Sequence, residues 1–409
     1  MNTILIKNIT LIDGSQKDIL ISNGKFDRIA ANIADKAEIT IDGKDKTIIP
    51  AFYNAHTHAA MALLRSYSEG KSLQSWLNEV WKKEATLTNE DIFNGSRLAI
   101  LEMIRSGTVF FADMYWKHKS VIAAVKDMGV RANVGITFMD TLDSKTCEEN
   151  MEFIKSFAND DKMISLSVSP HAIYTCSERM YEKCYEIAHS NGLNLHTHLC
   201  ETQKEVADCI SKYGISPVEL LDKLGVLDKH TIAAHCVHIT PSNADILATR
   251  EVNVVHNPCS NMKLASGVFP YRLCKTAGIN IALGTDGAAS NNSLSMLQEM
   301  KFASLLAKVS TDNPTSLPAQ EVFQWATTNS ATAFGLKAGV IAEGYDADCL
   351  LVDMNHVSLV PNNDIVSSLV YAADNECINT VICNGKVLMQ NRIIEKEEEI
   401  IAKAKKFIK

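Results

Sequence analysis

Along most of the chain, short apolar runs alternate with longer stretches in which apolar positions recur every three to four residues. Runs of the first kind suit strands covered on both faces, and stretches of the second kind suit amphipathic helices lying over them. Eight runs stand out, at 52–54, 109–114, 131–138, 164–169, 193–196, 231–234, 252–255 and 279–283, separated by helical stretches such as 120–128, 180–190 and 296–309. Eight alternations in the α/β class predict a closed (β/α)8 barrel of the TIM type, with an open doubly wound sheet as the other architecture sharing this pattern.

The two ends of the chain have a different texture. Short strands are predicted at 3–12, 19–22, 25–29 and 38–41, with Asn23-Gly24 as a hairpin turn. Similar segments return at 349–353 and 378–388, where Asn384-Gly385 is a second hairpin signal. Neither set could form a core alone, so one small β-sandwich is expected from residues 1–52 and 345–409, flanking a barrel of residues 53–344. The charged run 395–406 spaces Glu and Lys as a solvated terminal helix would.

Composition narrows the function classes. At 409 residues, 46% hydrophobic and 22% charged, the chain is of soluble globular type, and no apolar stretch approaches the roughly 18 residues of a membrane span. The first residues lack the basic and apolar regions of a secretory leader and are read as a strand. A net charge of -8 spread along the chain disfavours a nucleic-acid partner. Eleven cysteines without a C-x-x-C pair match neither a disulfide framework nor a cysteine zinc cluster, and fit buried thiols in a reducing, cytoplasmic setting. A homo-oligomer is left open.

Polar residues follow several of the apolar runs: His56 and His58 the first, His171 the fourth, His198 and Glu201 the fifth, His235 the sixth and Asp286 the eighth. In a β/α barrel these positions converge on the C-terminal face, where the active sites of the fold lie. His56-Thr57-His58 puts two imidazoles on one side of an extended segment. With His198 and Asp286 they offer three nitrogens and one carboxylate, a set suited to one zinc ion with water completing the site; iron or manganese would also suit it. Plainer roles exist for single residues. Glu201 would suit the N-terminus of a helix beginning near Thr202, and His196, His235, His238 and His256 would suit buried, hydrogen-bonded positions. Trp76 in S-W-L reads as core.

The segments N-A-H-T-H at 54–58, H-L-C-E-T at 198–202, A-A-H-C-V-H at 233–238, H-N-P-C-S-N at 256–261 and G-T-D-G-A-A-S-N-N at 284–292 resemble the motifs of the amidohydrolase superfamily. The resemblance is closest to its methylthioadenosine and S-adenosylhomocysteine deaminases, and extends to I-I-P-A-F-Y at 48–53 and G-Y-D-A-D at 344–348. It implies a hydrolytic deaminase of a purine nucleoside, with a divalent metal on His56, His58, His198 and Asp286. It further implies Asp286 as base, His235 orienting the attack, and Glu201 protonating a ring nitrogen and then the departing amine. Glu84 in W-K-K-E and His171 in S-P-H-A-I-Y would contact the nucleoside. A bridging lysine is absent from residues 165–174, so one metal is expected.

Other hydrolyses on this scaffold, such as guanine or pterin deamination, triazine dechlorination and cyclic amide cleavage, are the nearest competitors; a non-catalytic binding protein is a further one. The H-x-E and P-C-x-x-C pattern of cytidine-type deaminases is absent. Members of the resembling branch that accept S-adenosylhomocysteine can clamp its carboxylate with arginines. This chain has Ile136 and Thr146 at the aligned positions, with Lys145 adjacent, so a small or neutral 5′ substituent is expected.

Overall fold

The computed structural model describes residues 3–157 and 162–408. Among these, sixteen strands form two sheets. The first draws on both chain ends: β1 Thr3–Thr10, β2 Gln16–Ser22, β3 Lys25–Ala30, β4 Ile39–Asp42 and β5 Lys46–Pro50, then β14 Cys349–Asp353, β15 Ile378–Cys383 and β16 Lys386–Met389. The second comprises β6 Phe52–Thr57, β7 Thr108–Tyr115, β8 Arg131–Phe138, β9 Ile164–Pro170, β10 Asn194–Leu199, β11 Thr231–His235, β12 Asn253–His256 and β13 Ile281–Leu283. Each of these pairs in parallel with its sequence neighbour, with helices on the outside. This is the (β/α)8 barrel that the alternation predicts.

The barrel is closed at its seam mainly by side chains. The Asn54 amide donates to Thr285 Oγ1 at 2.7 Å and accepts the Thr285 N–H at 3.0 Å. One residue on, the Asp286 N–H donates to the His56 carbonyl at 3.0 Å, and Thr57 Oγ1 donates to the Asp286 carbonyl at 2.8 Å. The first and last strands thereby hold His56 and Asp286 in fixed register.

Residue type explains the element boundaries. Thr88 and Asp91 form a capping box at the start of helix Asn89–Arg105, and Gly129 ends helix His118–Met128 in the left-handed region at φ 71°. β7 and β8 are buried at every position, as strands between barrel interior and helices must be. The two Asn-Gly pairs form the tight turns expected: Asn23 and Gly24 have φ of 51° and 76°, and Asn384 and Gly385 of 48° and 71°.

The mixed sheet is apolar on both faces. Ile4, Ile6, Ile19, Ile21, Ile48 and Leu351 enclose a core of their own, whereas the intervening Ile49, Leu350 and Val352 join the barrel core. A buried polar joint ties the two sheets together. Asp348 accepts from the Tyr53 hydroxyl at 2.6 Å, from the Asn384 N–H at 2.5 Å and from Arg131 at 3.4 Å.

Three features differ from the sequence expectation. β5 is an additional strand, paired with β14 through its apolar Ile48-Ile49 despite a polar start. Helix Ile365–Tyr371 lies between β14 and β15. The terminal helix, Glu397–Lys405, is docked rather than fully solvated: Ile400 is 1% exposed, Glu397 pairs with Arg105, and Glu399 pairs with Arg97 at 3.1 Å. All eleven cysteines are free and buried, and no helix among the described residues is long and apolar enough to cross a membrane.

The seam makes a testable demand. Asn54→Ala removes both Asn54–Thr285 bonds and leaves the buried Thr285 N–H without a partner, at a cost of about 1–3 kcal/mol, while Thr285 Oγ1 keeps the Asp286 carbonyl at 3.0 Å. A lower midpoint of denaturant unfolding is expected, together with weaker metal retention, because Asp286 is the next residue after Thr285.

Candidate metal centre and active site

The barrel strands run past their apolar stretches into the polar residues that follow. β6 includes His56, β10 includes His198, and β11 ends on His235. At this end of the barrel the interior is a cleft rather than core, so polar side chains take the inward positions.

Four imidazoles are held in the same way. The His58 Nδ1–H donates to the Met114 carbonyl at 2.5 Å and the His198 Nδ1–H to the His171 carbonyl at 2.7 Å. His56 Nδ1 is hydrogen-bonded to His196 Nε2 at 2.9 Å, and His235 donates from Nδ1 to Asn261 Oδ1 at 2.7 Å. A proton fixed on Nδ1 leaves the Nε2 lone pair free, the tautomer a metal ligand needs.

The Nε2 atoms turn toward one point. His58 Nε2 is 3.1 Å and His56 Nε2 3.6 Å from Asp286 Oδ1. Two ligands about 2.0–2.1 Å from one tetrahedral ion are about 3.3 Å apart, so these separations fit a shared ion. Ligand atoms of His56, His58 and His198 lie within 4.8 Å of one another, and so do those of His56, His235 and Asp286. His56 Nε2 is buried with no hydrogen-bond partner, an orphan that a cation would satisfy. The second oxygen of Asp286 accepts from Ser260 at 2.6 Å and Ser290 at 2.9 Å, which fixes the carboxylate plane.

Electrostatics follow from burial and this pairing. Burial pushes His56 down to about 4. It acts on His58 in the same direction, but the Asp286 carboxylate raises that ring to about 9. Burial works to raise the Asp286 pKa, and the His56 and His58 rings overcome it and hold the carboxyl well below the usual range.

His58, His198, His235, Asp286, Glu201, His171 and Glu84 line one cleft, with the fully buried His56 beneath them. Glu201 is 4% exposed; burial raises its pKa, opposed by His235 and by the Ser266 hydroxyl, which donates to it at 3.1 Å. Both Glu84 oxygens are buried, and burial, opposed by the adjacent Tyr115 and Trp116 donors, raises that carboxyl to about 7. His171 holds Thr175 Oγ1 at 2.9 Å through Nδ1.

Sequence reasoning missed the supports and the walls. Ser260, Asn261 and Ser290 lie within motifs whose histidines and aspartate drew the attention. Trp76, Trp81, Tyr115, Trp116 and Tyr174 line the cleft, Trp76 included although it reads locally as core. Among the plainer histidines, His196 is bonded to His56, His238 Nε2 donates to the Ser266 carbonyl at 2.5 Å, and the His256 ring stacks on Phe269 with centroids 4.4 Å apart.

Comparison with known proteins places this geometry. The family model described as Amidohydrolase family matches residues 47–388. The chain belongs to the amidohydrolase family. It is 42% identical to the 5-methylthioadenosine/S-adenosylhomocysteine deaminase 1 of Archaeoglobus fulgidus, over 99% of this chain and 98% of that protein. It is likewise 42% identical to a 5'-deoxyadenosine deaminase of Methanospirillum hungatei, over 98% of this chain and 92% of the relative. The crystal structure of a Xanthomonas campestris adenosine deaminase with bound zinc superposes with a TM-score of 0.93 at 32% identity, covering 99% of this chain and 97% of that one. An amidohydrolase with this donor set holds a divalent metal, and the residues described above fit one.

Metal binding is therefore linked to pH. In the metal-free protein His58 carries a proton below about 9, and an entering ion must displace it. Affinity is expected to rise with pH up to that value and to level off above it. Calorimetry near pH 7 in buffers of different ionisation enthalpy should show about one proton released per ion bound.

Proposed function

We propose that this amidohydrolase is a zinc-dependent deaminase, with one ion per chain, that converts the 6-amino group of an adenosine-type nucleoside to a 6-oxo group and releases ammonia. The observation that carries the reading is Glu201, a buried carboxyl with raised pKa facing the same cleft as the metal ligands. Hydrolysis of a simple amide has no ring nitrogen to protonate, whereas deamination of an aminopurine does. The named activities of the relatives agree with this reading.

A divalent cation on His56, His58, His198 and Asp286 supplies Lewis-acid activation of the attacking water. Asp286, steadied by Ser260 and Ser290, takes the proton of that water. His235, fixed by Asn261 through its Nδ1 proton, presents the Nε2 lone pair to a hydrogen of the attacking water and orients the attack. Glu201 gives its proton to the purine ring nitrogen, which makes the amine-bearing carbon electrophilic, and then carries a proton to the departing amine. Glu84, which lines the cleft, suits the two ribose hydroxyls, whose donation would favour its charged form. His171 offers Nε2 to the base.

The 5′ substituent extends into a second cavity beyond Glu84, which shares Trp81, Tyr115, Trp116 and Thr137 with the cleft. Ile92, Met139, Leu142 and Thr146 line its far side. Ile136, the residue aligned with a clamping arginine, is fully buried and lines neither cavity; Thr137 takes the wall position because side chains alternate along β8. Lys145 is 84% exposed and pairs with Glu149 at 3.8 Å. Lys117 lines the cavity, but its ammonium already donates to the Leu87 carbonyl. A small, neutral 5′ group therefore fits better than an amino-acid tail.

Two measurements test the proposal. Glu201→Gln should lower kcat by at least about 10²-fold, the lower end of the usual contribution of a proton-transfer group, with metal content unchanged; a loss of only a few-fold would contradict the role. In one buffer, kcat/KM for methylthioadenosine or 5′-deoxyadenosine should exceed that for S-adenosylhomocysteine by about tenfold or more, the effect of a carboxylate lacking its partner. The reverse preference would point to Lys117 or Lys145 as a clamp, and alanine at each would identify which.

A further inference from the structure

The turn between β10 and helix Gln203–Tyr213 holds a second buried carboxylate, to which the deamination chemistry gives no task. Thr202 and Glu205 have the spacing of a capping box, in which Glu205 would accept the N–H of Thr202. The Thr202 half of that motif is present, since the Glu205 N–H donates to Thr202 Oγ1 at 3.2 Å. The Glu205 side chain instead reaches further back. Its two oxygens accept the N–H groups of Cys200 and Glu201, each at 2.8 Å, and the residue is 4% exposed. Helix Pro217–Lys223 shows the ordinary arrangement, with Glu219 accepting from Ser216, its own capping residue, at 2.8 Å.

The destination of the carboxylate is a strained turn. Cys200 has φ of 52°, in the left-handed region that a residue with a Cβ disfavours. Two successive N–H groups beside such a residue form a small anion-binding concavity, and here the chain's own carboxylate fills it. On the opposite side, the Cys200 carbonyl accepts the His238 N–H at 2.9 Å. The turn is thus held from both sides at the residue immediately before Glu201. The Glu201 carboxyl, by contrast, faces the cleft with Ser266 Oγ as its hydrogen-bond partner.

We propose that Glu205 is a positioning residue for Glu201: by clamping the Cys200 and Glu201 amides it fixes the left-handed turn that aims the Glu201 carboxyl into the cleft. The inference rests on the deaminase reading of Glu201. Helix capping does not account for the geometry, because Thr202 caps the helix and Glu205 bypasses the capping residue's own N–H.

Glu205→Gln keeps the size of the side chain but replaces one acceptor with an NH2 group that cannot accept. With the full-length, metal-loaded protein, kcat should fall by about 10- to 100-fold, as a small misplacement of a reacting group does, while KM stays within about threefold and metal content is retained. Hydrogen exchange of a peptide covering residues 199–203 should speed up by about tenfold or more, while the strands on either side keep their protection. In a Glu201→Gln background the second substitution should cost little, since the two act through one group. Should Glu205→Gln fail to fold, Glu205→Asp, charged but one methylene shorter, is read in the same way.

A kcat within about threefold of the wild type, or a full additional loss in the Glu201→Gln background, would overturn the proposal. Wild-type protein that releases no ammonia from adenosine, 5′-deoxyadenosine or methylthioadenosine would overturn the deaminase reading itself. The exchange measurement would still decide independently whether the clamp exists.

Discussion

The site depends on how the barrel closes. Between β13 and β6 the strand ladder gives way to the Asn54 amide, which both donates to and accepts from Thr285, followed by the bond from Asp286 to the His56 carbonyl. Closure and metal geometry are consequently one constraint. The last strand cannot dock on the first without bringing the aspartate beside two histidines.

Around that seam the frame controls proton positions. Two backbone carbonyls and the Asn261 amide receive the Nδ1 protons of His58, His198 and His235, and His196 is bonded to Nδ1 of His56, so the strand geometry orients all four rings. Polar groups left without partners are correspondingly informative. His56 Nε2, in the candidate metal centre, is one of them. In an interior where unsatisfied groups are costly, such exceptions mark places that a ligand completes.

The barrel was legible because strands buried on both faces leave a periodic apolar trace, and the clustered polar residues of the candidate site because they follow that trace at regular places. His56, His58, His198, His235, Glu201 and Asp286 each sit where an apolar run stops. What stayed hidden depends on partners distant in sequence. Ser260 and Ser290 are ordinary hydroxyls until Asp286 is brought to them, and Trp76 reads as core until the barrel mouth opens beside it. β5 could not be separated from β6 by pattern, since the apolar residues Ile48, Ile49, Ala51 and Phe52 straddle two sheets with only Pro50 among them. Thr202 and Glu205 have the spacing of ordinary helix capping, and only the fold of the turn carries the carboxylate past its expected partner.

The mixed sheet built from both ends also sets an order of events during synthesis. β5 pairs with β14 from Pro50 opposite Cys349 onward, so the two partners are separated by the whole barrel in the sequence. A nascent chain presents β5 as an open, apolar strand edge until β14 has been made, and such edges invite association with other chains. The charged residues Lys44, Asp45 and Lys46 precede its apolar part, and charges beside an exposed strand discourage that pairing. The strands that emerge after the barrel therefore complete those made before it, and one sheet joins segments from both sides of the barrel sequence.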